Sequence, residues 1–254
     1  MIQPQQWVLS AMIAAALLVS ACGGGGGVRT SSEEKTNRAA EVNTQLGGAY
    51  LQRGQYEQSL EKLQKAIGYD PNYAAAHSTI AILYEQIGEV SKAETHHRRA
   101  VRLDPKDANA QNNLGAFLCK IGKYRESEEY FVNAANNAFY HTPEQALTNA
   151  GKCLLRADEN DKAEIYFRQA LTAKPNFPDA LFSLAQLNLH KGESLRARAF
   201  LQRFESIAPA SPDSLLLGYR IERAMGADSD AESYAQKLRA QYPNTPQASQ
   251  LQTP

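Results

Sequence analysis

Small residues recur along this chain at a fixed interval: Ser59, Ala93, Ser127, Ala163, Ala197 and Ala231 are separated by 34, 34, 36, 34 and 34 residues. Prolines keep the same count at Pro71, Pro105, Pro175, Pro209 and Pro243, with Phe139 where one is missing. A two-residue insertion between Asn136 and Pro143 accounts for both series. Each interval holds two amphipathic patterns with a break between them. In the first, Leu46 and Tyr50 lie four apart beside Gly47, and Gly54 then interrupts. Leu60, Leu63 and Ile67 share a face with small Ser59 and Ala66 until Pro71 stops the chain. The interval is thus a helix, a turn and a helix, with an apolar stripe and no partner for it. About 34 residues bury too little apolar surface to offset the entropy of ordering, so the hairpins must stack on one another.

This pattern resembles the tetratricopeptide repeat, which pairs a Leu-Gly-x-x-Tyr first helix with an Ala, aromatic, Ala, Pro second half. Leu114-Gly115, Ala150-Gly151, Tyr84, Gly88, Gly122, Tyr124, Phe131, Phe167, Ala100, Ala134 and Ala170 carry the resemblance. It implies an all-α, right-handed superhelical stack of six repeats over residues 40–245. The register places them at 40–73, 74–107, 108–143, 144–177, 178–211 and 212–245. The last two drift. Phe204 and Leu238 stand where earlier units have alanine, so their second helices must pack more widely or against something else, and Leu215 to Tyr219 read one residue out of phase. Terminal repeats differ in this way because they cap a stack. Residues 246–254 are polar and are expected to fray.

Composition agrees with a helical stack and excludes several functions. With 27 basic and 27 acidic side chains the formal net charge is zero, which leaves no footprint for nucleic acid. His96-His97-Arg98-Arg99 is a local basic cluster, but its members point in different directions on a helix and read as a solvated face. His97 falls at the position that Phe131 and Phe167 occupy in later units, which makes it a packing residue. No Gly-rich phosphate loop, His-Glu-x-x-His spacing or serine elbow is present, so neither an enzyme, a metal nor a cofactor is expected.

The N-terminus is of a different kind. Trp7 to Val19 is an apolar run of 13 residues, too short to span a bilayer core of about 30 Å and suited to a signal peptide, residues 1–21. Val19-Ser20-Ala21-Cys22 resembles the bacterial lipobox, which implies that Cys22 becomes a lipidated N-terminus. Gly23 in the following position favours the outer membrane. Residues 22–39 carry five glycines directly after Cys22 and read as a tether.

Two cysteines then remain, Cys119 and Cys153, in the first helices of units three and four. An oxidising compartment and side-by-side first helices make a disulfide possible, the alternative being two small buried residues that never meet. First helices line the concave face of such a stack. In repeat register that face includes Thr44, Gly48, Leu51, Ser78, Ile82, Gln86, Asn109 and Asn112. These are uncharged, so the groove is expected to hold an extended or helical segment by backbone hydrogen bonds and apolar pockets. A clamp of lysines on a C-terminal carboxylate is disfavoured, because Thr44 and Ser78 stand where lysine is needed.

Lipobox, short tether and six repeats together resemble the PilW/PilF family of type IV pilus biogenesis lipoproteins. Its carriers are Val19 to Cys22, Gln45 to Leu51, Tyr56 to Lys62, and Leu114-Gly115-x-Phe117-Leu118-Cys119. The resemblance implies a pilotin, anchored to the outer membrane by its lipid and facing the periplasm, that helps the pilus secretin reach the membrane and form its ring; the chain is expected to be a monomer. The rival expectation is a general envelope scaffold serving outer-membrane barrel assembly or peptidoglycan enzymes.

Overall fold

The computed structural model describes residues 31–251. Twelve helices pair in sequence: α1 (Ser31–Gln52) with α2 (Tyr56–Tyr69), α3 (Ala74–Gln86) with α4 (Val90–Leu103), and α5 (Ala108–Lys120) with α6 (Tyr124–Ala135). The series continues as α7 (Pro143–Arg156) with α8 (Asn160–Ala173), α9 (Pro178–His190) with α10 (Ser194–Glu205), and α11 (Pro212–Ala224) with α12 (Asp228–Gln241). Among the described residues there is no strand.

The small residues that set the period stand where the two helices of a hairpin press together. Ser59, Ala93, Ser127, Ala163, Ala197 and Ala231 are all buried. The Ser59 hydroxyl donates to the Gly47 carbonyl at 2.8 Å, and the Ser127 hydroxyl to the Gly115 carbonyl at 2.7 Å, bonds that only close approach allows. Five of the six hairpin turns place a glycine at positive φ, as at Gly54 with φ 71°. In the fourth unit Asp158 takes that place with φ 58°, a conformation that Asp tolerates better than most side chains because its short polar group can hydrogen-bond locally.

Stacking is asymmetric between the two layers. Successive odd-numbered helices touch across units, α1 on α3, α5 on α7, α7 on α9 and α9 on α11, while the even-numbered helices stand farther apart. The odd layer is therefore the inner, concave one. Between the layers runs a chain of apolar clusters, one around Leu63, Ile80, Leu83, Leu114 and Phe117, and another around Phe167, Leu181, Leu184, Leu201 and Ile221.

Both ends differ from expectation. Helix α1 begins at Ser31, so the stretch 31–39 assigned to the tether is helical, and the first helix starts nine residues before position 40. No proline or glycine interrupts the run from Ser31 to Ala40, and Ala40 is fully buried, so the helix anchored there extends backwards without a break. At the other end the tail does not fray as far as it is described. Ala248–Gln250 form a 3₁₀ turn, and Ala248 and Leu251 pack on Leu215, Leu216 and Leu238. Gln247 Nε2 donates to Asp213 Oδ1 at 2.7 Å and an Arg220 guanidinium N–H to Gln250 Oε1 at 2.6 Å. Leu238, out of pattern for a hairpin alanine, is fully buried beneath this returning segment. The phase shift of unit six has a visible basis too. Gly218 lies under the ring of Tyr234, one residue before the buried Ala235 that holds the corresponding place in the α12 register.

Candidate functional site

The concave layer is where the expected groove residues belong, and the structure divides them. Ser78 and Ile82 on α3 are half-buried, and neither belongs to an apolar cluster; Gln86 and Asn109 are exposed. Asn112 on α5 is half-buried and accepts a hydrogen bond on Oδ1 from Asn149 Nδ2 at 3.1 Å. Thr44 does not face the groove as expected. It is 7% exposed, and its hydroxyl donates to the Ala40 carbonyl at 2.8 Å, made possible by the earlier start of α1. Leu51 is also withdrawn, packed against the cluster of Leu63, Ile80 and Leu83. Gly48 faces α3, since a Cβ there would sit 3.8 Å from Thr79 Cγ2.

Two features escaped a reading limited to units one to three. The first is polar: Gln145 Nε2 donates to Asn149 Oδ1 at 3.1 Å, and Asn149 hands the chain on to Asn112, so an amide ladder crosses from α7 to α5. Beside it Lys152 Nζ pairs with Asp179 Oδ2 at 2.8 Å across α7 and α9. Carrying the same register into units four and five would have named Gln145, Lys152 and Asp179, but it gives the buried Thr148 in place of Asn149. The second feature is an open end. In units two to five the third and seventh positions of the first helix are fully covered by the preceding unit, for example Ala76 at 0% and Ile80 at 1%. Their counterparts in unit one, Val42 and Leu46, are 45% and 43% exposed because no unit precedes them among the described residues.

Cys119 and Cys153 form a disulfide with Cα atoms 5.8 Å apart, clipping α5 to α7. Phe131 and Ala150 pack around it, and the Ser127 hydroxyl lies 3.4 Å from Cys153 Sγ. His97 is a core residue, 1% exposed, with its ring against Phe117 and Nε2 at 2.8 Å from Glu85 Oε1. Among the described residues no three His, Cys, Asp or Glu side chains stand together to hold a metal ion, and no helix is long and apolar enough to cross a membrane. Cys22 and the signal-like run lie outside the described residues.

Comparison with known proteins matches this architecture. Tetratricopeptide-repeat families match residues 47–88, 76–109, 107–176 and 154–212. The type IV pilus assembly protein PilF of Pseudomonas aeruginosa is 29% identical over 209 residues, which is 82% of this chain and 83% of that protein. A solved structure of PilF is similar with a TM-score of 0.74 and 29% identity, covering 85% of this chain and 97% of PilF. The solved structure of PilW, a widely conserved type IV pilus biogenesis factor, is 30% identical with a TM-score of 0.77, covering 84% of this chain and 98% of PilW. By its repeats, their number and this end-to-end likeness, the chain belongs to the tetratricopeptide-repeat family of type IV pilus biogenesis proteins that includes PilW and PilF.

Proposed function

We propose that this protein is a pilotin: a lipoprotein held in the outer membrane by Cys22, which captures a segment of the type IV pilus secretin on its concave layer and so promotes localisation and multimer assembly. The observation that carries the reading is the likeness to PilW over nearly the whole length of that pilus biogenesis factor, rather than over a shared repeat or two. The lipobox Val19 to Cys22 supports the anchor. The chemistry of the inner layer supports protein capture: Ile82 supplies apolar surface beside Ser78, Gln86, Asn109 and Asn112, and none of these is charged.

The test is made in cells. A strain without the protein is expected to lose heat-resistant secretin multimers and surface pili, and Ile82→Asp to reproduce much of that loss while the purified variant keeps its helical circular dichroism. Cys22→Ala should move the protein from the outer-membrane fraction to the soluble periplasm. Normal multimers and normal pili in the deletion strain would remove the pilotin reading and leave the general scaffold in its place.

A further inference from the structure

Past the third unit, the gaps between consecutive inner helices open into pockets twice in succession. Between α5 and α7 a pocket of about 190 Å³ lies over the Cys119–Cys153 bridge, with Asn149, Lys152 and Arg156 on its walls. One unit on, between α7 and α9, a second pocket of about 260 Å³ is walled by Leu155 and Leu187 and rimmed by Gln186 and His190 and, where α7 turns into α8, by Asp158 and Asn160. The two flank the same helix, α7, which offers cations to one side and Leu155 to the other.

The first pocket suits a carboxylate. Arg156 is exposed and makes no ion pair among the described residues. Lys152 is 46% exposed, and its partner Asp179 is 50% exposed. A pair so open to water contributes little, so an incoming carboxylate can share the ammonium at small cost. Asn149 uses one N–H of its amide on Asn112, whose own amide N–H groups have no partner among the described residues, and these are donors for a peptide carbonyl. The second pocket is floored by Leu187, 2% exposed, and its volume suits one aliphatic or aromatic side chain.

Spacing joins the two. Packed helices lie about 8–10 Å apart, so the two gaps on either side of α7 are separated by about that distance. A polyproline-II segment has three residues per turn and rises about 3.1 Å per residue, which puts side chains three apart on one face at about 9 Å. We infer that the inner face of units three to five is a second docking site. Its occupant is an extended partner segment carrying an Asp or Glu and a Leu-, Ile- or Phe-type residue three positions apart. The carboxylate meets Arg156 and Lys152, the apolar side chain enters between Leu155 and Leu187, and the amide ladder receives the backbone. The inference rests on the inner layer being a protein-binding surface, but not on the secretin being the partner.

The experiment is selection of a random-peptide phage library on the purified full chain. Enriched peptides are expected to share an acidic and an apolar residue three apart. A fluorescein-labelled copy of the leading peptide should bind at least about tenfold more weakly to Arg156→Glu, which reverses an exposed charge. It should also weaken as salt is raised and bind Ile82→Asp unchanged. Gln186→Trp, filling the second pocket, should weaken it as well. No enrichment, enriched peptides without that pair, or binding indifferent to Arg156→Glu would each overturn the inference. Secretin multimers in cells report on the partner and this selection on the chemistry of units three to five, so either reading can fail alone.

Discussion

His77 Nδ1 lies 2.9 Å from His96 Nδ1, with the two rings stacked at 5.1 Å. Because His77 Nε2 lies 3.0 Å from the Pro71 carbonyl, that nitrogen carries the proton and donates it, which leaves His77 Nδ1 as acceptor and His96 Nδ1 as donor. The relay ties α4 through α3 to the loop joining units one and two, and it is broken once His77 Nδ1 takes up a proton and ceases to accept. Burial and the neighbouring histidines push His96 from 6.5 down to about 4, and His77 is lowered chiefly by burial, with Arg99 lowering and Asp70 raising it. The folded state therefore binds fewer protons than the unfolded one. Stability from the pair is complete above the unfolded value near 6.5 and is lost as pH falls toward about 4. With the half-open ring discounted for solvent, the loss is about 1–2 kcal/mol. Urea titrations at pH 7.5, 6, 5 and 4.5 should show it, and His96→Asn should flatten that part of the profile. Glu94, held low by Lys123 and Arg98, begins to lose its contribution as pH falls to the ordinary carboxylate value near 4.5, and Glu205, pushed up by burial, acts in the opposite sense, so it is the difference between the parent and His96→Asn profiles that isolates the histidine pair.

Gly151 lies under the ring of Phe167, and a Cβ at 151 would come within 2.5 Å of Phe167 Cε1. The ring is fully buried and has nowhere to move. Gly151→Ala should cost about 1–3 kcal/mol through overpacking. Gly48→Ala, with its nearest neighbour at 3.8 Å, should be neutral or gain up to about 1 kcal/mol from helix propensity. Equal denaturation midpoints for the two variants would contradict this packing.

The Cys119–Cys153 bridge closes a loop with a sequence separation of 34. The chain-entropy relation gives about 3–4 kcal/mol for such a loop, so Cys119→Ala with Cys153→Ala should lower the unfolding free energy by about that amount. Mass spectrometry of the non-reduced protein should recover the linked peptides, and alkylation of both thiols without reductant would count against the bridge.

Repeat register puts both Leu51 and Ile82 on the concave face, but they should behave differently as aspartates. Leu51 packs on the first apolar cluster, so Leu51→Asp buries a charge and should cost several kcal/mol, about 3 or more. Ile82 is outside that cluster, and Ile82→Asp should stay within about 1 kcal/mol of the parent. Thermal melts of both variants decide it.

Truncation after Thr245 removes Gln247, Ala248 and Leu251 from the end of the stack and uncovers Leu215, Leu216 and Leu238. Hydrogen exchange should then quicken in α11 and α12 before the rest, and the protein should elute as a larger species on gel filtration, because a stack end without its cover exposes an interface. Unchanged exchange in both helices would show that the tail contributes no cover.

The repeat count and the buried hairpin crossings were legible in the amino acids, because each follows from contacts inside one short unit: Ser59 on Gly47, or Gly115 under Phe131. Period and small-residue placement determine those contacts wherever the unit stands. The concave site was legible only in part. Register put Thr44, Leu51, Ser78 and Ile82 on one face, yet Thr44 bonds its own helix and Leu51 is drawn into the core shared with the second unit. Exposure at such positions depends on the neighbouring unit and on where α1 begins, and neither has a local signature. The two ends were decided by tertiary structure alone. Val42 and Leu46 are exposed because no repeat unit stands before them among the described residues, and Leu238 is buried because a polar-looking tail turns back over it. Local pattern encodes the unit, whereas what covers a stack end depends on segments far away along the chain or absent from it.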